Sequence, residues 1–169
     1  MIELKEGDWI VHREFGAGQV GKLVVLKLGG EPRQYHKLKT SGADIWLPLD
    51  NCDETWLRPL IDPSEFEKAL KEIAKPPGDL PDNAATRKIY LAETTALSLP
   101  VEIGKVLRDL NGWRKQTNGL SGNELTVWKQ FRTIFLAEWQ ATTGITLADA
   151  ERQLLKLLEE SRPSDAKSK

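Results

Sequence analysis

The side chains best suited to chemistry in this chain of 169 residues are few and far apart. Cys52 is the only cysteine, and the two histidines, His12 and His36, both fall in strand-like runs. A thiol becomes a nucleophile when a neighbouring base takes its proton, and no histidine is close to Cys52 along the chain. A lone cysteine excludes an internal disulfide, and two scattered histidines assemble no metal cage. Gly16-Ala17-Gly18 is too short for a dinucleotide fingerprint and leads into a strand rather than a helix. No Walker motif, nucleophile elbow or HExxH occurs. The pattern points away from an enzyme, with neither cofactor nor metal expected. Binding is better represented. In Ile45-Trp46-Leu47-Pro48-Leu49, alternation puts Ile45, Leu47 and Leu49 on the core face and Trp46 and Pro48 on the other. Proline cannot donate to a ladder, so this strand is expected at a sheet edge or poorly paired at the proline. An outward tryptophan on an open edge suits strand addition by a protein partner. The alternative is that Trp46 packs beneath a loop or against helices.

Charge is balanced overall and uneven locally. The formal net charge is −1. Residues 84–132, however, carry eight Lys or Arg against four Asp or Glu, a local +4. Such a stretch suits phosphate contact and also arises by chance. No apolar run exceeds four residues, so no membrane span is expected. The first residues, Met-Ile-Glu-Leu-Lys-Glu, contain no apolar core of a signal peptide, and a cytoplasmic location is expected.

The elements that must carry these residues change character near Asp62. Before it, short strand-like runs alternate with glycine: Asp8–Arg13, Gln19–Leu28, Arg33–Thr40, Asp44–Leu49 and a short run at Trp56–Leu60. Gly29-Gly30 is a hairpin signal, because both residues tolerate positive φ. Five short strands in 60 residues cannot cover a flat sheet, so a small Tudor- or SH3-like β-barrel is expected over 1–61. After it, a helical domain is expected over 62–160. Asp62-Pro63-Ser64-Glu65 reads as a helix start, running to about Ala74. Asp82 or Asn83 caps a second helix, Ala84–Leu97, and Pro100 opens a third with Ile103, Val106, Leu107, Leu110 and Trp113 on one stripe. Ser121-Gly122-Asn123-Glu124 is a capping box for a fourth helix, whose inward stripe is Leu125, Trp128, Phe131, Phe135 and Trp139. Thr146 starts a fifth, with Leu147, Ala150 and Leu154 facing inward. Residues 161–169 read as a disordered tail. The fold class is α+β in two domains, a β-barrel followed by an all-α bundle.

Several of these segments resemble a known family. Gly7-Asp8-Trp9-Ile10-Val11-His12, Phe15-Gly16-Ala17-Gly18, Gly30 to Tyr35, Leu47-Pro48 and Leu57-Arg58-Pro59-Leu60 resemble the RNA-polymerase-interacting module of the CarD/CdnL family, shared with the bacterial transcription-repair coupling factor. Val106-Leu107-Arg108-Asp109-Leu110, Trp113-Arg114 and Gly119-Leu120-Ser121 are similar to the CarD C-terminal domain. The resemblance implies a regulator of transcription initiation whose barrel adds a strand to the RNA polymerase β subunit. The matching contact positions are Leu38, Trp46 and Pro48. It implies that the helical domain lies against promoter DNA at the upstream edge of the −10 element, stabilising the open complex. There, family members wedge a tryptophan into the minor groove. Counting back from Arg108-Asp109-Leu110, that position falls on Ala84, which cannot fill an opened base step. DNA contact is therefore expected to be weak. Arg87 matches a family basic position and Lys88 lies on the same turn; both either reach phosphate or form a solvated helix face. Arg114 and Lys115 are further DNA candidates, as is Arg108 unless it pairs with a local carboxylate. A monomer is expected. The rival reading is a polymerase-bound adaptor with little or no DNA contact. A Tudor-like module for modified side chains would need an aromatic cage, which these residues do not supply.

Overall fold

A computed structural model describes residues 2–52 and 54–161. The chain divides into two compact units, Met1–Ile61 and Asp62–Lys169.

The first unit is a five-stranded antiparallel sheet: β1 (Trp9–His12), β2 (Gly16–Leu26), β3 (Arg33–Thr40), β4 (Asp44–Pro48) and β5 (Leu57–Pro59). Their order is β4-β3-β2-β1-β5. The long β2 organises the sheet, because its first half pairs with β1 and almost its whole length with β3. A register shift between Val20 and Leu23 bends it on the way. Gly16-Ala17-Gly18 lies inside β2, not in a turn; the turn falls earlier, at residues 13–15. Gly18 is needed there because a Cβ would stand 2.8 Å from the Lys39 carbonyl oxygen on β3.

The sheet does not close into the expected barrel. Among the described residues, β4 and β5 stay at opposite edges and pair only with β3 and β1. The cover for the apolar face comes instead from outside the ladder. Leu4 and Cys52 are buried with Ile10, Val20, Leu38, Leu47 and Leu57, and Ile2 packs beside them. The Ile2 N–H donates to the Cys52 carbonyl at 3.1 Å, which ties the leading segment across the face. With that face covered, closure is not required.

The second unit holds α1 (Pro63–Ile73), α2 (Ala84–Thr94), α3 (Pro100–Thr117), α4 (Gly122–Thr143) and α5 (Leu147–Glu160). The caps read from the sequence form. Asp62, Asn83 and Thr146 each accept a backbone N–H three residues on, and Ser121 and Glu124 complete a capping box. Phe66 of α1 meets Phe135 and Trp139 of α4, with ring centres 5.0 and 5.8 Å away. α4 is the central helix: Ile134 to Trp139 are buried without interruption. Leu125 and Leu147, expected inward, are exposed; in the same first turns it is Glu124 of α4 and Ala150 of α5 that face inward. α2 ends at Thr94, ahead of Ser98, whose φ of 50° breaks helical geometry. Ser161, expected in the tail, is buried and its hydroxyl donates to the Lys75 carbonyl at 2.6 Å. The rest of that tail lies outside the described residues.

Candidate interaction surfaces

In the sheet unit, among the described residues, the edge strand β4 has one side paired and one open. Its register against β3 opposes Tyr35 to Pro48, Lys37 to Trp46 and Lys39 to Asp44 on the outer face. Trp46 is 37% exposed and its indole stands beside the Lys37 ammonium, 5.5 Å from the ring centre. That ammonium also pairs with Asp44 at 2.6 Å. Pro48 is half-buried at the strand end. Beyond it, Arg33, Gln34, Leu49 and Asp50 line a shallow depression of about 410 Å³.

Leu38 does not belong to this surface. It opposes Ile45 on the inner face and is fully buried in the core. Two-residue alternation along β3, with His36 also buried, forces that orientation. The outward neighbour is Lys37, which opposes Trp46. Only the pairing register reveals that Lys37 and Trp46 are partners.

At the other edge, Trp56 precedes β5 and is 53% exposed. The His12 ring lies between Trp56 and Phe15, with centres 6.3 and 4.9 Å away. His12 Nδ1 accepts the Glu14 N–H at 3.2 Å, which leaves the proton on Nε2. Burial holds this imidazole below its ordinary value of 6.5, against the pull of the Glu14 carboxylate.

In the helical unit, the N-termini of α2 and α4 face a common depression of about 310 Å³. Its lining includes Ala84, Ala85, Lys88, Gly122 and Asn123. Ala84 and Lys88 are exposed. Arg87 and Glu124 also line it, but both are buried. The Arg87 side chain is 8% exposed and its guanidinium pairs with Glu124 at 2.7 Å. It also donates to the Pro81 and Asp82 carbonyls at 2.6 and 2.9 Å and stacks 4.4 Å above Trp113. A guanidinium held in this way is not free for phosphate, which corrects its assignment as a DNA contact. Burial alone would raise the Glu124 carboxyl; hydrogen bonds from Arg87 and Ser121 hold it below 4.5 instead.

Arg108 is likewise internal. It pairs with Asp109 at 2.7 Å and with Glu72 at 2.8 Å, while Asp109 also accepts the Gly78 N–H at 2.7 Å. This network ties the loop after α1 to α3. Arg114 and Lys115 are exposed; Arg114 bonds Asn111 at 2.7 Å and lies over Trp128. Among the described residues, no three His, Cys, Asp or Glu side chains gather as a metal site. No helix among them is long and apolar enough to cross a membrane.

Residues 4–61, which contain all five strands and the open β4 edge, match the family described as CarD-like/TRCF RID domain. The sheet unit is a CarD-like/TRCF RID domain. Two curated relatives carry similar segments. The transcription-repair-coupling factor of Rickettsia conorii (strain ATCC VR-613 / Malish 7) is 33% identical over 51 residues, 30% of this chain and 4% of that protein. The transcription-repair-coupling factor of Myxococcus xanthus is 42% identical over 48 residues, 28% of this chain and 4% of that protein. The matched segments thus amount to about 4% of the length of these relatives. The helical unit lies outside the matched RID span.

Proposed function

We propose that the protein is a CarD-like transcription regulator whose RID domain binds the RNA polymerase β subunit through the outer edge of β4. The observation that carries this reading is an open edge strand, inside the RID match, presenting Trp46 at 37% exposure beside Pro48. An added strand would satisfy the free backbone groups of β4, and the indole would supply the apolar anchor. Titration of the full chain onto purified polymerase tests it. Trp46→Ala should weaken binding about thirtyfold, the effect of a 2 kcal/mol anchor. Undiminished affinity would remove β4 from the interface.

The helical unit, residues 62–160, is assigned in the same proposal to promoter DNA near the upstream edge of the −10 element, where it stabilises the open complex weakly. Its support is the similarity of Val106–Ser121 to the CarD C-terminal domain, with exposed Lys88, Arg114 and Lys115 as phosphate contacts. Tethering to polymerase would make weak contacts sufficient. The protein acts as a cytoplasmic monomer in this scheme.

A second reading, a polymerase-bound adaptor with little DNA contact, is favoured by two observations. The family resemblance puts Ala84 where a wedge would be, and Arg87 is committed to Glu124. Promoter footprinting separates the two: upstream-edge protection and open-complex lifetime identical with and without the protein leave only the adaptor. In the first reading, Ala84→Trp should lengthen that lifetime about tenfold, since base–aromatic stacking contributes about 1–3 kcal/mol.

A further inference from the structure

We infer that Lys37 is a positioning residue for the Trp46 anchor, an inference that rests on the reading of β4 as the polymerase-binding edge. Three side chains share the outer face of β3 and β4. Lys37 and Trp46 oppose each other across the ladder, and Asp44 stands two residues before Trp46 on the same side. Asp44 reaches diagonally to Lys37, with Oδ2 2.6 Å from Nζ. That contact leaves the ammonium 5.5 Å from the indole centre. The cation is therefore held between a carboxylate and a π face.

An indole on an open strand samples several rotamers, and binding must select one of them. A cation anchored over the ring narrows that choice before the partner arrives. The ion pair itself stabilises the fold little, because the Lys37 and Asp44 side chains are 32% and 52% exposed. Its consequence lies in the conformation of the anchor. Lys37 thus acts through Trp46 and not by touching the partner.

Three signatures follow from acting through another residue. The effect of removing Lys37 should vanish once Trp46 is gone. It should not change how binding depends on salt. A cation of different shape should restore it. The experiment titrates the full chain onto purified RNA polymerase at two ionic strengths, using the wild type, Lys37→Met, Lys37→Arg, Asp44→Ala, Trp46→Ala and the Lys37→Met/Trp46→Ala double variant. Circular dichroism verifies that each is folded. Lys37→Met and Asp44→Ala should each weaken binding about three- to fivefold, in line with an exposed cation–π contact. The double variant should bind no worse than Trp46→Ala, the salt slope should match wild type, and Lys37→Arg should retain wild-type affinity. Penalties that multiply in the double variant, or a shallower salt slope in Lys37→Met, would mean that Lys37 meets the partner directly and would overturn the inference. Wild-type affinity in Lys37→Met would overturn it as well. An inert Trp46→Ala would instead sink the β4 reading, and the role of Lys37 with it.

Discussion

Replacing Arg87 by methionine is the perturbation that separates a structural arginine from a DNA-binding one. The substitution keeps an apolar stem against Trp113 but removes the charge facing Glu124, whose side chain is only 8% exposed. It also leaves the Pro81 and Asp82 carbonyls without the donor that now reaches both. Breaking a buried pair by removing one partner costs about 3–5 kcal/mol, most of it from the charge left behind. The Ser121 N–H and hydroxyl still solvate the Glu124 carboxylate, at 3.2 and 3.0 Å, so the lower end, about 3 kcal/mol, is expected. Urea unfolding of the DNA-free full chain, followed by tryptophan fluorescence, reads the loss. With a urea m-value of about 1.5 kcal/mol per molar for a unit of this size, the helical transition should move down by about 2 M. Lys88→Met, on the exposed side of the same helix, is the control and should shift stability by less than about 0.5 kcal/mol. Equal behaviour of the two variants would refute the argument and return Arg87 to the DNA-facing side.

Leu38→Ala should cost about 2–5 kcal/mol of sheet stability, because a fully buried core side chain is truncated. Polymerase affinity of the folded fraction should stay near wild type, the reverse of Trp46→Ala, as a titration paired with thermal melts would show. Because the folded state holds the His12 imidazole below 6.5, the unfolded chain binds that proton first as pH falls. The contribution is therefore complete above that value and declines as pH drops through it towards the folded value. Melting temperatures between pH 8 and 5 should fall less steeply in His12→Gln, about flat if His12 dominates that range.

The parts of this protein set by neighbours in sequence were legible before any coordinates. Caps at Asp62, Asn83, Ser121 and Thr146 are local bonds between residues three apart, so they form wherever the chain goes. The edge position of β4 follows from Pro48, which has no N–H to give a second neighbour. Trp46 pointing away from Leu47 follows from strand geometry alone.

What depended on residues far apart stayed hidden. The sheet remains open because Ile2, Leu4 and Cys52 happen to converge on its apolar face, a convergence no strand pattern encodes. Leu38 was misplaced because a matched position says nothing of which face a residue takes, whereas its pairing with Ile45 does. Arg87 and Arg108 enter a charge sum as surface cations. Each turns inward because a carboxylate 37 or 36 residues distant comes to meet it, Glu124 for one and Glu72 for the other. Local propensity acts over one turn or one strand, while the burial of a charge depends on what the folded chain brings opposite it.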